Sequence, residues 1–507
     1  MKSNYTSSIA GAAIFITLVG IVGKGIGFFR EAVFAGYFGL SPEFDLYLVG
    51  AVIPITINTI ILFIAQNILI PSYNNFKLNN AKFVESFLYS QLRLFFFFSL
   101  IIFVLLFYFA PSILKIYQPE ANEKYLQISI NIFLISSITI PLSSIVAICI
   151  SYLQANYDFK NPAIAQLFLN IVIIFMIVVL SNTFNIYAVP IGFVIGTFFQ
   201  TIYLLRKTKI NLLQIFNLNY TSNSPMSNSL KSLIWIFIIE TIGQFYILAD
   251  RSFLHQVEVG GIASINYASN IFSLPMQIFS IALTTAIFPK LSESYSQNTN
   301  DAFYNTLDKS IRIMIIIFLS ITTIFFLFGE PIVRLFFERG KFRPEDTITT
   351  YNVLKILSIS IVFYSVYAVL NKVFYTTNML LSLMVITIFG IFIKIGFNII
   401  LVNKYAQYGL AMSTSITYIY FSIVSILVLK YKKIYNPDPK LLYLIFITII
   451  NCILTYYVVD IFVTLICSKT LISDIIKVLI FILVFIYNLS IYDRHSWSYL
   501  NYLKLPK

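Results

Sequence analysis

The chain has 507 residues, of which 59% are hydrophobic and 11% are charged, and its formal net charge is +13. A soluble protein of this length carries about 25% charged residues, so the composition excludes a large soluble domain. In a membrane protein, the positive charge indicates cytoplasmic loops and contacts with anionic lipids, and it does not indicate nucleic-acid binding.

Apolar runs recur along the whole chain, and each crossing of a bilayer needs about 20 apolar residues. Because lipid offers no hydrogen-bond partners to the backbone, each span is predicted to be an α-helix. The sequence thus predicts an all-α polytopic membrane protein with 14 transmembrane helices. The predicted spans are 8–38, 46–70, 88–112, 127–153, 162–181, 184–205, 228–252, 262–289, 310–330, 347–372, 377–401, 406–430, 441–467 and 471–492.

The distribution of Lys and Arg predicts the orientation. With the N-terminus inside, 20 of the 34 basic residues fall in cytoplasmic segments and 8 fall in the opposite loops. Positive charge is enriched on the cytoplasmic side of membrane proteins, so both termini are expected in the cytoplasm. The loop 334–343 is the discordant segment, and its mixed charges predict a folded external cap.

Two halves of the chain share a weak pattern, which predicts the internal repeat that is common in secondary transporters. The predicted parts are an N-lobe of spans 1–6 (1–215), a pseudo-repeated C-lobe of spans 7–12 (216–433), and two C-terminal helices with a tail (434–507). Hinges are expected at residues that interrupt or loosen these helices, namely Gly25, Gly27, Pro54 and Pro275.

Charges inside the predicted spans carry the functional signal. Lys24 and Arg30 lie six residues apart in the first span, and Asp45 opens the second. A cation in the bilayer costs a few kcal/mol, so such residues usually face a wet cavity or a partner. The first interpretation is a cationic cavity; the alternatives are an ion pair with Glu31 or Asp45, or a Lys24 that snorkels to the interface.

The seventh span contains Glu240, Asp250 and Arg251. One interpretation has Arg251 facing the substrate while Asp250 or Glu240 binds a coupling cation. The alternative places Asp250 and Arg251 in solvent at the external interface, where snorkelling costs little.

Two further lysines fall inside predicted spans. Lys394 lies deep in the eleventh span near Asn398, which makes it a second cavity candidate. Lys477 is expected to snorkel or to pair with Asp474.

No group of residues with catalytic spacing is visible in the sequence. His255 and His495 are the only histidines, and the three cysteines have no metal-ligand spacing. Without a phosphate-binding loop, an ATP-driven pump is excluded. We therefore expect no enzyme, no metal and no cofactor, with energy from Na+ or H+ coupling or from the membrane potential.

Two motifs extend the interpretation from a transporter with a cationic cavity to a family. Residues 24–31 read Lys-Gly-Ile-Gly-Phe-Phe-Arg-Glu and are followed by Phe38-Gly39, Asp45 and Pro54. Residues 331–342 read Pro-Ile-Val-Arg-Leu-Phe-Phe-Glu-Arg-Gly-Lys-Phe and are followed by 346–347 and 374–375. Both resemble segments of the MurJ/MviN lipid II flippase family, and the resemblance extends over essentially the whole chain.

The resemblance implies the exporter fold of the multidrug/oligosaccharidyl-lipid/polysaccharide superfamily, with alternating access in the bacterial inner membrane. It implies that the substrate is a polyprenyl-diphosphate-linked glycan. Separately from the resemblance, we expect the protein to act as a monomer. Lys24, Arg30 and Asp45 match charged positions of the family. It also implies a sodium site in some members, for which Asp250 and Asn398 are the nearest candidates.

The chain departs from the family at two arginines. The family's second-span arginine has no counterpart here, although Asn58 and Thr59 lie nearby, and Asn270 replaces an arginine of the eighth span. Arg251 is the candidate for a replacement charge. These departures leave open another lipid-linked oligosaccharide, of O-antigen, capsule or teichoic type. Weaker rivals are a drug/cation antiporter and, from another class, an integral-membrane glycan-assembly enzyme.

Overall fold

The computed structural model describes residues 9–79, 84–119, 121–216, 230–297, 300–466 and 471–492, and the regular structure in these ranges is helical throughout. The helices are α1 (Ile9–Phe38), α2 (Pro42–Gly50), α3 (Val52–Asn79), α4 (Val84–Tyr117), α5 (Glu123–Ser137), α6 (Thr139–Ala155), α7 (Lys160–Phe184), α8 (Ala188–Thr208), α9 (Leu230–Arg251), α10 (Gly261–Ser296), α11 (Asn300–Phe337), α12 (Pro344–Thr376), α13 (Leu380–Tyr431), α14 (Lys440–Ile466) and α15 (Leu471–Tyr492).

The predicted spans fall on these helices; two spans are each divided between two helices, and two others share α13. The second span is divided into α2 and α3 at Ala51. Pro54 explains this break, because proline has no N–H to donate to the carbonyl of Gly50, four residues earlier. The fourth span is likewise divided into α5 and α6 at Ile138. Pro275, by contrast, lies inside α10, which is helical from end to end.

Eight stretches of the described chain are long and apolar enough to cross a membrane. Two of them, 160–208 and 380–431, have 49 and 52 residues. A bilayer core of about 30 Å needs only about 20 helical residues. Each of these two stretches is therefore long enough for two crossings.

The stretch 160–208 is a helical hairpin formed by α7 and α8, which pack against each other. The turn is at Asn185, whose φ of 48° and ψ of −129° interrupt the helix. Close packing follows at Gly192, where an added Cβ would lie 3.3 Å from the Cβ of Met176.

The stretch 380–431 is also a hairpin, because a non-helical residue divides α13 into two helices. Ala406 has φ 47° and ψ −130°, so the helix turns back at this residue. The Lys394 ammonium contacts the Leu410 carbonyl at 3.4 Å. In a straight helix those residues would be about 24 Å apart. A Cβ at Gly409 would lie 2.5 Å from the Leu401 carbonyl oxygen, so the turn has room only for glycine there.

Gln407 fixes this turn from outside the hairpin. Its buried side chain donates to Glu258 Oε2 at 2.6 Å, and the Glu258 backbone N–H donates back to Gln407 Oε1 at 3.4 Å. These two hydrogen bonds satisfy the buried amide of Gln407. Without them, its burial would cost about 1–3 kcal/mol of folding free energy.

By internal packing, the chain divides into two units, Met1–His255 and Gln256–Lys507. In the first unit α3 packs on α6, α1 packs on α7, and α9 packs on α3. In the second unit α12 packs on α10, α11 and α13, while α14 and α15 pack on each other and on α11. The predicted lobes, with boundaries at 215 and 433, stay a prediction.

The loop that follows α11 is folded, as its mixed charges predicted. Arg334 forms salt bridges with Glu330 at 2.7 Å and Glu338 at 3.4 Å. Gly340 takes a φ of 59°, and Phe342 turns inward against Phe337. Arg334 therefore pairs with two carboxylates along the end of α11, while Arg339 donates to the Leu335 and Phe336 carbonyls.

The link between α13 and α14 is tied to α11 by buried polar contacts. Arg312 bridges Asp308 at 2.6 Å and Asp438 at 3.0 Å. Tyr435 donates to Asp308 at 3.2 Å, and burial together with this carboxylate raises the pKa of the Tyr435 hydroxyl far above its ordinary value. The tyrosine therefore acts as a neutral hydrogen-bond donor at physiological pH.

In the last two helices, Lys477 pairs with Asp460 at 2.6 Å. The sequence predicted Asp474 or snorkelling instead. Asp460 lies on the neighbouring helix α14, and its place beside Lys477 depends on how α14 and α15 pack.

Candidate functional site

Arg30 is the best-defined member of the predicted cavity set. Its Nε and Nη2 donate to Glu31 Oε1 at 3.3 and 2.6 Å, and its Nη1 donates to Asn170 Oδ1 at 2.9 Å. The guanidinium also lies over the rings of Phe34 and Phe193, 5.5 and 5.2 Å from their centroids. Arg30 is therefore held in place from α1, α7 and α8.

This fixed arginine keeps part of its binding capacity. A guanidinium has five N–H groups. The bonds to Glu31 and Asn170 use three, so two have no partner among the described residues. The Arg30 side chain is 19% exposed. A fixed guanidinium with two open N–H groups can bind an anionic oxygen, and phosphate is the anion whose geometry suits it.

Asp45 and Arg251 belong to the same electrostatic group. Asp45 is 2% exposed and Arg251 is 8% exposed. Arg251 interacts electrostatically with Asp250, and also with Tyr117, Asp45 and Glu31. The alternative that left Arg251 solvated at an interface is therefore wrong, because its side chain is buried among these groups.

The group is anionic as well as cationic. Two arginines, Arg30 and Arg251, face three carboxylates, Glu31, Asp45 and Asp250. Burying charges is tolerated where opposite charges lie close by. The cationic cavity stays a prediction, and these residues form a cluster of mixed charge that contains the ion pair of Arg30 with Glu31, which was the predicted alternative.

Lys24 is partly buried on α1, less than two turns before Arg30, and it interacts with other residues of the chain. An added Cβ would meet nothing within 4 Å at Gly25 and only Asn170 Nδ2, at 3.9 Å, at Gly27. Both glycines lie inside the unbroken α1. Their predicted role as hinges is untested, and close packing does not require them.

Lys394 and Asn398 come together in the second unit. Both are almost completely buried, at 1% and 0% exposure. Lys394 Nζ lies 3.3 Å from Ser413 Oγ and also contacts Thr414 Oγ1, while Ser413 Oγ contacts Asn398 Oδ1. The two halves of the α13 hairpin thus enclose a polar cluster.

The other predicted ion candidates are less defined. Asp250 ends α9 beside Arg251 and is partly exposed. Glu240 lies on α9, and its side chain is not among those that the structure describes. The described residues contain no group of three or more His, Cys, Asp or Glu side chains that could hold a metal ion.

The two positions where family arginines are absent have different surroundings. Asn58 donates to Thr139 Oγ1 at 2.7 Å, and its own Oδ1 is buried without a hydrogen-bond partner. Asn270 is partly buried on α10.

Of the predicted site residues, the structure brings Arg30, Asp45 and Arg251 together in one electrostatic cluster, and Lys394 and Asn398 in another.

Sequence reasoning missed Asn170, Ser413 and Thr414. Asn170 is an amide within the apolar run of α7, and polar residues inside membrane helices are rare and functional. Ser413 and Thr414 follow the glycine turn by one helical turn. Their polar character was visible in the sequence, but their partners were not. Asn170 meets Arg30 on α1, and Ser413 and Thr414 meet Lys394 on the other side of the turn at Ala406.

The comparisons with known proteins agree with one another. The sequence model of the lipid II flippase MurJ family matches residues 34–503. The probable lipid II flippase MurJ of Buchnera aphidicola (from Acyrthosiphon pisum) is 27% identical over 450 residues, which cover 87% of this chain and 88% of the relative. The lipid II flippase MurJ of Thermosipho africanus is 25% identical over 459 residues, covering 87% and 91%.

Solved structures share the fold. A lipid II flippase MurJ in an inward closed conformation superposes with a TM-score of 0.76 at 21% identity, covering 95% of this chain and 99% of that chain. A multidrug resistance MATE transporter of the MOP superfamily, in an inward-facing conformation, gives a TM-score of 0.69 at 14% identity, covering 82% and 98%. Since the family model spans nearly the whole chain, this protein belongs to the lipid II flippase MurJ family, a family of multi-pass transporters of the bacterial inner membrane and not of enzymes.

Proposed function

We propose that this chain moves the undecaprenyl-diphosphate-linked precursor lipid II from the inner to the outer leaflet, for peptidoglycan synthesis, by alternating access. The match to the family over residues 34–503 is the single observation that carries the proposal. The helical fold shared with a lipid II flippase and with MOP-superfamily transporters supports it.

The architecture of the proposed transporter is 14 membrane helices in two six-helix lobes plus two C-terminal helices, with both termini in the cytoplasm. The two hairpins with matching turns, at Asn185 and Ala406, support the repeat of the lobes. The excess of Lys and Arg in alternate loops supports the orientation.

Arg30 is the proposed contact for the substrate pyrophosphate. Its two open N–H groups give it the donors that a phosphate oxygen accepts, and Glu31 and Asn170 fix its orientation. A fixed guanidinium loses little conformational entropy when it binds. Lys24, which is partly buried on the same helix, would add charge but not a bidentate contact.

Arg251 takes the place of the arginines that the family has elsewhere. It is buried and interacts electrostatically with Asp45 and with Glu31, the carboxylate that also binds Arg30. The electrostatic attraction of these carboxylates would lower the cost of holding two guanidinium groups in the membrane in the substrate-free state.

Exposed basic residues at the end of α13 fit the expected contact with anionic lipids. Lys430, Lys432, Lys433 and Lys440 are all exposed within one short segment. Each basic residue near an anionic membrane surface is worth about 1 kcal/mol. We propose that this segment faces the cytoplasmic leaflet and that the protein acts as a monomer.

A second candidate substrate is another lipid-linked oligosaccharide. Asn270 stands where the family has an arginine, and the family's second-span arginine has no counterpart, so two cationic contacts of the family are absent from this chain. A glycan carried on the same diphosphate lipid would still use Arg30, but it would differ in the sugar contacts.

The test is complementation of a bacterial strain depleted of its own lipid II flippase. Survival and the labelling of lipid II at the outer leaflet are both measured. The wild-type chain should restore both, whereas Arg30→Ala should lose at least about tenfold of the labelling rate, because one charged contact to phosphate is worth about 1.5–3 kcal/mol.

The matched control is Arg206→Ala, which removes an exposed arginine at the end of α8 and should behave as wild type. Wild-type protein that is present in the membrane but restores neither readout would favour the other glycan. Full labelling with Arg30→Ala would remove the proposed phosphate contact while leaving flipping intact.

A further inference from the structure

The polar cluster inside the α13 hairpin is built around one ammonium group. Lys394 Nζ lies 3.4 Å from the Leu410 carbonyl oxygen and 3.3 Å from Ser413 Oγ, and it contacts Thr414 Oγ1. These three oxygens are neutral, and Lys394 is 1% exposed. A buried lysine without exposure to water depends on such partners.

The hydrogen bonds around this group indicate that the lysine is charged. Thr414 Oγ1 donates its own hydrogen to the Leu410 carbonyl at 2.9 Å. Ser413 Oγ donates to that carbonyl or to Asn398 Oδ1. Both hydroxyls therefore present lone pairs to Lys394, as the carbonyl does. The three contacts that the structure describes for Lys394 Nζ are thus all with acceptors, as the N–H groups of an ammonium require.

The same oxygens are the ligand types of a hard monovalent cation. Carbonyl, hydroxyl and amide oxygens bind such ions, and broken membrane helices supply carbonyls for them. The hairpin turn at Ala406 lies a few residues before Leu410, Ser413 and Thr414. The hairpin thus brings an oxygen cage around a point that Lys394 Nζ occupies.

The first unit shows that a hairpin of this shape does not need such a cage. Counted from the turn, Ile173 corresponds to Lys394, Ile177 to Asn398 and Gly192 to Ser413. Ile173 and Ile177 are fully buried, and Gly192 packs directly on Ile173. The oxygens around Lys394 are therefore an addition to the shared backbone design.

We propose that the Lys394 ammonium is the resident cation of this oxygen cage, so that the second unit is complete without a bound metal cation and does not respond to Na+. Removing the ammonium while keeping the oxygens converts the cage into a Na+ site. The inference goes beyond the proposed function, since binding of Na+ is measured without transport.

The experiment follows thermal unfolding of the purified full-length protein as Na+ replaces N-methylglucamine at constant ionic strength. The wild-type midpoint should not move with Na+. Lys394→Ala should be less stable without Na+, and Na+ should raise its midpoint saturably by about 2 °C, the scale for filling one site in a chain of this size.

Two further variants isolate the cause. Lys394→Met fills the space without charge, so it should lose stability and gain no Na+ response. Lys477→Ala removes another buried lysine of the same unit, which pairs with Asp460, and should also show no saturable Na+ response.

Two outcomes overturn the proposal. One is a folded Lys394→Ala that ignores Na+. The other is stoichiometric binding of 22Na+ by the wild-type protein, a measurement that requires no variant to fold. Neither depends on transport, so a failure of the proposed function in the complementation assay is distinguishable from a failure of this inference.

Discussion

The hairpin α7–α8 and the hairpin of α13 share a backbone and differ in chemistry. Both turn at a residue with φ near 48° and ψ near −130°, Asn185 in the first unit and Ala406 in the second. The first hairpin is closed by glycine against isoleucine, whereas the second encloses Lys394 and its oxygen partners. The turn therefore specifies the shape of each hairpin, and a few side chains decide its chemistry.

Polar function in the first hairpin lies one turn away from the equivalent point. Asn170, on the same helix as Ile173, holds Arg30 from α1. In the second hairpin the charge is internal to the hairpin itself. The first hairpin therefore serves a neighbouring helix, while the second stabilises a charge of its own.

We expect the greatest loss of stability from a substitution that breaks the second turn. Gly409→Ala places a Cβ 2.5 Å from the Leu401 carbonyl oxygen, which is backbone and cannot move aside. We expect a loss of about 3 kcal/mol or more in the free energy of unfolding, or failure to accumulate. Thermal unfolding in detergent measures it.

The control for this prediction is Gly192→Ala in the first hairpin. The new Cβ would lie 3.3 Å from its nearest neighbour, the Cβ of the Met176 side chain. That variant should lose clearly less free energy of unfolding than Gly409→Ala. Equal losses in the two variants would mean that the close approach at Gly409 is not what closes the second hairpin.

The next effect concerns the support of Arg30. Asn170→Leu removes the acceptor of the Arg30 Nη1 bond, and hydrogen bonds to charged groups contribute about 1.5–3 kcal/mol. We expect a loss of that order in stability together with weaker flipping. Unfolding curves and the labelling assay measure the two losses separately.

Ile173→Leu, three residues further along the same helix, is the matched control because it keeps an apolar side chain at a buried site. If Asn170→Leu retains full flipping and stability, Asn170 does not position the guanidinium.

A smaller effect tests the shared turn. Both Asn185 and Ala406 occupy a backbone region that glycine adopts without strain, and relief of such strain is worth about 1–3 kcal/mol. The greater conformational freedom of glycine in the unfolded chain offsets roughly 0.5–1 kcal/mol of this gain. Asn185→Gly and Ala406→Gly should therefore each gain about 1 kcal/mol in unfolding experiments.

The control introduces glycine into a regular helix, where Ala188→Gly, at a buried position of α8, should lose stability. A stabilisation of only one of the two turn variants would show that the two turns are not equivalent.

The smallest effect concerns the glycines of α1. Gly25→Ala places a Cβ in open space within a helix, so we expect a gain of about 0.5–1 kcal/mol in stability and unchanged flipping. If instead the variant is stable but flipping is lost in the complementation assay, Gly25 acts as a hinge, as the sequence predicted.

Helix positions were predictable because the bilayer imposes one solution on an apolar run. The predicted spans therefore fall on the observed helices from α1 to α15, and the break before Pro54 follows from the missing N–H of proline. The motifs around Arg30 and Phe342 sufficed to identify the family, because a family is defined by its sequence pattern.

The class, the helices and the family follow from the amino-acid sequence, as does the presence of four costly charges, Lys24, Arg30, Arg251 and Lys394. Only the tertiary structure decided their partners. Asn170 reaches Arg30 across 140 positions of the chain, Lys477 chooses Asp460 over Asp474, and Ser413 meets Lys394 because the helix turns back at Ala406. The physical reason is that helix formation follows from local hydrogen bonds and hydrophobicity, whereas a buried charge is stabilised by whichever polar atoms packing brings within about 3 Å.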